Sequence, residues 1–221
     1  MRKFFYAIVL VAVVSSCATT TRLSQYPKMY EEKPLTLLVM PPINNTANVE
    51  AKDLLYTSIS KPLAEAGYYI ISPHLAMDIL KAESAYDAEL FVDAPLDNFA
   101  KFFGADAIVF SQIDKWTKNG FGIDTKIRYF IKSAKTNEII FDRSCDLHLD
   151  LTQKSGNNSA LGQLLDLTAS VIATAATDHI VAARKANSYI FMDIPRGKYS
   201  PMFDKDQKVT ALKKDIKARV K

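Results

Sequence analysis

The stretch Val14-Ser15-Ser16-Cys17 constrains this chain more than any other. It closes an apolar run, Phe4 to Val14, that follows Arg2 and Lys3. Charge, short apolar run, small residues and then cysteine is the order of a bacterial lipoprotein leader, and the run is too short to stay in a bilayer as a permanent helix. Cleavage after Ser16 would leave Cys17 first in the chain, its sulfur taken up in a thioether to diacylglyceryl. The only other cysteine, Cys145, then has no partner within the chain, and an intramolecular disulfide is excluded. The 221 residues less the leader of 16 leave 205, which must hold themselves together by a hydrophobic core. That length suits one sizeable domain.

Lipoproteins with this signal carry two or three fatty chains, and each buried methylene adds about 0.8 kcal/mol, so the anchor is effectively permanent. Ala18, not Asp, follows Cys17. In enteric-type sorting that places the protein in the outer membrane, facing the periplasm. Charge excludes one class of partner. Lys and Arg fall from 28 to 26 with the leader while 24 acids remain, a mature charge of about +2 that is too balanced for a dedicated nucleic-acid binder.

Residues 17–33 lack apolar periodicity and read as the lipidated cysteine and a flexible tether. Leu35 to Met40 is a continuous apolar run stopped by Pro41-Pro42, as in a buried strand near the middle of a sheet. Leu55, Ile59, Leu63 and Ala66 recur at helical spacing, with Pro62 placed to kink the helix and Gly67 to end it. Tyr68 to Ile71 is a second strand. Ser72-Pro73 suits the cap and first position of a helix carrying Leu75, Ile79 and Leu80. Asp93 is placed to cap a helix facing Leu96, Phe99 and Phe103 to one side, closed by Gly104. A third strand runs from Ala107 to Trp116, Lys118-Asn119-Gly120 signals a hairpin, and Ile123 to Lys132 alternates strictly, with one face mostly wet. A turn near Lys135 leads to a strand from Glu138 to Leu151, then to a long helix from about Ser159 to Ala186. Helices among the early strands and a closing meander predict an α/β fold: a mixed β-sheet flanked by helices, with a C-terminal meander and a long terminal helix. Residues 34–201 form this domain, and 202–221 a basic tail.

Each candidate for chemistry has a plainer reading. Cys145 and His148 invite a thiol-imidazole dyad, but alternation sends them to opposite faces of a strand, leaving Cys145 as a small buried hydrophobe. Asp142, Asp146, Asp150 and His148 share the wet face at almost 7 Å intervals, too wide for one small cation. His179 falls on the apolar side of the last helix, and His74 reads as a surface residue. No nucleophile elbow, zinc-protease, phosphate-loop or dinucleotide motif is present. No catalytic, cofactor or metal site is therefore predicted. The small residues Ala169, Ser170, Ala173, Thr174, Ala176 and Thr177 suit close packing on the sheet or on a second subunit of a homo-oligomer. Residues 196–221 hold nine basic and three acidic residues. Val209, Leu212, Ile216 and Val220 lie among Lys208, Lys213, Lys214, Lys217, Arg219 and Lys221 as in a basic amphipathic helix, one that docks on its own domain or meets membrane or partner.

Four stretches, LTLLVMPPIN (35–44), KPLAEAGYYIISP (61–73), FGADAIVF (103–110) and IPRGKYSP (194–201), resemble bacterial lipoproteins of unknown function related to the curli secretion-channel lipoproteins. The resemblance implies the periplasmic α/β domain of that channel family and of cell-wall synthase activator lipoproteins. It further implies a role in envelope assembly alongside other lipoproteins. A pore would need lipid-facing alternating hairpins, and only 123–131 alternates cleanly. The expected function is a non-enzymatic, outer-membrane-anchored periplasmic lipoprotein binding other envelope proteins during envelope or surface-structure assembly or secretion. The alternative is an activator or ligand-binding regulator of cell-wall synthesis enzymes.

Overall fold

The computed structural model describes residues 19–119, 122–150 and 175–220, with side chains 175–178 left aside. In chain order the elements are α1 (Arg22–Gln25), α2 (Pro27–Glu32), β1 (Thr36–Val39), β2 (Ile43–Asn44), α3 (Glu50–Ser58), α4 (Ser60–Glu65), β3 (Tyr69–Ile70), α5 (Pro73–Ala82), a 3-10 turn (Ala88–Phe91), α6 (Asp97–Phe103), β4 (Ala107–Asn119), β5 (Gly122–Ser133), β6 (Ile139–Asp150), α7 (Ala175–Ile190) and β7 (Asp215–Val220). The strands form one mixed sheet ordered β3-β1-β4-β5-β6-β7, with β2 continuing beside β4 beyond β1. β1 lies inside the sheet, parallel to both neighbours, and β4-β5-β6 is the antiparallel meander the alternation predicts.

Alternation decides which face is buried. Ile123, Ile127, Tyr129 and Ile131 of β5 and Phe141, Cys145, Leu147 and Leu149 of β6 turn inward under α3, α4 and α7, all with little or no exposure. A smaller cluster on the other face packs Leu38, Ile108, Phe110 and Phe130 against α5 and α6. It covers only the β1 side. Each fully buried aliphatic or aromatic side chain contributes about 1.5–3 kcal/mol to holding these layers together.

Local breaks follow from single residues. The helix predicted through Leu55, Ile59, Leu63 and Ala66 parts at Ile59 into α3 and α4, because the Pro62 ring collides with the carbonyl four residues back, that of Ser58. Gly67 takes φ +97°, closed to most side chains. The Gly67 carbonyl accepts from Tyr199 N (3.0 Å), and Gly197 N donates to Ala66 O (2.9 Å). A Cβ on either Gly67 or Gly197 would run into the other's backbone or its neighbours. The stretches 61–73 and 194–201 are thus two sides of one contact.

Four expectations are corrected. Residues 22–32, read as tether, form α1 and α2, and Tyr26, Met29 and Tyr30 are buried in the domain. The helix expected from Asp93 begins at Asp97, because Pro95 disfavours helical backbone at Ala94. Leu75 is 58% exposed, and α5 instead buries Ala76 and Leu80. The tail is loop that ends in the strand β7, parallel to β6, rather than an amphipathic helix. Ile216, Ala218 and Val220 alternate inward, and pairing with β6 overrides the three-to-four spacing. The long helix is described from Ala175 and continues to Ile190, four residues beyond the predicted end. Its small-residue stripe at 169–174 lies outside the described residues.

Candidate functional site

The meander and β7 present an open polar face, the reverse of the core. Positions alternate with the inward residues, so Asp124, Lys126 and Arg128 of β5 share a face with Asp142, Ser144, Asp146, His148 and Asp150 of β6 and with Asp215, Lys217 and Arg219 of β7. Charges of opposite sign sit side by side. Asp142 accepts from Arg128 Nε (2.9 Å) and from Lys214 Nζ (2.7 Å), Asp124 meets Lys115 Nζ (3.0 Å) and His148 Nδ1 (2.6 Å), Arg219 approaches Asp150 (3.6 Å), and Ser144 Oγ donates to Asp215 (2.5 Å). Hydrogen bonds from His148 and Lys115 hold the Asp124 carboxyl below the usual carboxylate range. Burial pushes Asp142 up, but Arg128 and Lys214 outweigh it, and its net shift is also downward. Both aspartates are therefore fixed as anions near neutrality.

The basic residues expected to act as one patch are divided. Lys214 and Arg219 are tied to β6 carboxylates and Lys217 stands in register with Asp146 on the same face, whereas Lys208 and Lys213 lie exposed on the loop before β7. Cys145 is fully buried, and burial pushes its thiol up to about 11. His148 points away from it toward Asp124. His179 is 8% exposed and accepts from Trp116 Nε1 (2.7 Å), and His74 is a surface residue beside Asp78. Among the described residues the carboxylates and histidines form no cluster that could hold a metal ion. Cys17 and Ser16 lie outside the described residues.

One pairing is not legible in the sequence. Arg143 stands at an inward position of β6 with no exposure and pairs with Asp193, while its guanidinium also donates to Ile190 O (3.1 Å) and Lys213 O (3.2 Å). Asp193 in turn accepts from Leu212 N (2.6 Å). A second buried pair, Arg22–Asp206 (2.8 Å), ties α1 to the same C-terminal stretch, and Asp206 also accepts from Arg196 N (3.0 Å). The signal for Arg143 was its parity with Phe141 and Cys145.

A profile of the GNA1162-like lipoprotein family matches residues 24–192, most of the chain. The chain belongs to that family. Residues 1–18 match the prokaryotic membrane lipoprotein lipid attachment site, which makes this a lipid-anchored envelope protein. The chain is similar to the lipoprotein NMB1124/NMB1162 of Neisseria meningitidis serogroup B, with 21% identity over 86% of this chain and 89% of that one. Among solved structures it is similar to lipoprotein GNA1162 from Neisseria meningitidis, with a TM-score of 0.49 and 19% identity over 63% of this chain and 99% of the other. It is also similar to a PelC dodecamer from Paraburkholderia phytofirmans, with a TM-score of 0.40 and 11% identity over 72% and 84%. GNA1162-like membership agrees with the lipoprotein resemblance read from 35–44, 61–73, 103–110 and 194–201.

Proposed function

We propose that this GNA1162-like protein is a non-enzymatic lipoprotein, acylated on Cys17 and held at the periplasmic face of the outer membrane. There it binds another envelope protein through the open face of β5, β6 and β7 during envelope or surface-structure assembly. The observation that carries this reading is the laying of the basic strand β7 against the acidic strand β6, charge beside charge. A polyanion such as nucleic acid or anionic cell-wall polymer is attracted by uncompensated positive charge. A mosaic of alternating fixed charges instead favours a protein surface of complementary pattern, because mismatched partners meet like charges. The link to curli secretion-channel lipoproteins belongs to the same proposal, as the kind of assembly such a partner would serve.

The test is photo-crosslinking in cells from a probe at Lys126 or Lys217, compared with one at Lys52 on α3. Discrete adducts to one envelope protein from the first two positions alone support the reading. Adducts from Lys52 only, or a cell-wall synthesis enzyme as the sole adduct, would replace it, the latter with the activator alternative.

A further inference from the structure

The chain between lipid and domain is far shorter than a tether. Thr20 O accepts from Ala211 N (2.8 Å), Thr21 bridges Thr210, Arg22 N donates to Val209 O (2.9 Å) and Leu23 N to Gln207 O (3.1 Å). The buried Arg22–Asp206 pair locks this junction from beneath. Three chain steps separate Cys17 from Thr20, and at full extension they span about 11 Å. The polar layer of a leaflet is about 5–7 Å deep, so even at full extension the junction rises only about 4–6 Å above it.

Its surface has the chemistry for that position. Lys208 and Lys213 are exposed and enter no ion pair among the described residues, unlike Lys214 and Arg219, which are tied to Asp142 and Asp150. Around them Leu23, Val209 and Leu212 are 41%, 43% and 41% exposed. Cationic side chains beside moderately exposed aliphatic ones suit the boundary between anionic headgroups and acyl chains.

We propose that residues 20–23 and 207–213 form a collar that rests on the anionic bilayer carrying the anchor, seating the domain in one orientation. The proposal builds on acylation of Cys17 and adds which surface faces the lipid. β7 starts at Asp215, two residues past the collar, so the open face begins at the headgroups and is presented sideways to other proteins on the same membrane.

The experiment uses the full-length lipidated protein in vesicles of phosphatidylethanolamine and phosphatidylglycerol doped with headgroup-nitroxide lipid. A fluorophore is attached through Val209→Cys or, as control, Tyr69→Cys on β3, the strand at the opposite edge of the sheet from β7. Cys145 is buried and stays unlabelled. The collar probe is expected to be quenched several-fold more strongly than the control. When a flexible insertion between Ala18 and Thr19 lengthens the leash, quenching at 209 persists. It falls to the control level once Lys208→Glu and Lys213→Glu are added, or when phosphatidylcholine replaces the anionic lipid. Equal quenching at both positions overturns the proposal, as does quenching indifferent to charge on the long leash, or a collar probe shielded by a bound protein. The mass of the N-terminal peptide from the same sample keeps the two claims apart: an unmodified Cys17 sinks the anchoring itself, whereas an acylated Cys17 without collar quenching sinks only the seating.

Discussion

Arg128 and Arg143 both pair with an aspartate, yet one stands outside the sheet and the other inside. The Arg128–Asp142 side chains are 44% and 16% exposed, and those of Arg143–Asp193 0% and 2%. Water already solvates the outer pair, so its formation changes little energy and its use is to fix charge in a pattern. The inner pair has surrendered its hydration and holds only if each partner stays, so it acts as a lock between β6, the end of α7 and the C-terminal stretch. Charge in this molecule therefore does two separable jobs: display on the open face and closure of the seam beneath.

The comparison can be broken most sharply at the seam. Arg143→Ala leaves Asp193 buried and uncompensated and is expected to cost about 3–5 kcal/mol in urea-induced unfolding; a loss below 1 kcal/mol would mean the pair is not a lock. Arg22→Ala strands Asp206, 2% exposed, and should cost about 2–3 kcal/mol while making the chain before Pro27 susceptible to protease. Thiol chemistry reads the same interior. With its thiol raised to about 11, Cys145 should resist maleimide at pH 8 in the folded protein and react once urea unfolds it. Because the raised value favours the neutral thiol in the fold, this stabilisation is full below about pH 9 and is lost as pH climbs toward 11. The smallest effect belongs outside. Arg128→Ala should change stability by about 0.5 kcal/mol or less. The lowered carboxyls of Asp124 and Asp142 make their contribution above about pH 4, and acid titration followed by circular dichroism should show it fading as pH falls below that.

Sequence pattern was most legible where one rule acted alone. Period-two alternation placed β5 and β6 and separated Cys145 from His148, and Pro62 marked the break between α3 and α4 within four residues. The tail misled because Ile216 and Val220 satisfy both a helical and an alternating pattern over so short a stretch. What chose was β6, more than sixty residues away, whose carboxylates and free edge take the strand. Tyr26, Met29 and Tyr30 carried helical spacing over only five residues, too few to stand out before their burial is known. Arg143 was visible by parity, but its partner Asp193 lies fifty residues on, and nothing local joins the two. The open face was legible as wet; its pairing of sign against sign required the register.

The division of labour between the open face and the seam is tested most directly by putting Lys126→Glu and Lys217→Glu into the lipidated protein and measuring both thermal unfolding and in-cell crosslinking to the proposed envelope partner. An unchanged unfolding temperature with the partner adduct lost is the result expected. An adduct that survives both reversals at full yield would contradict a working role for the open face.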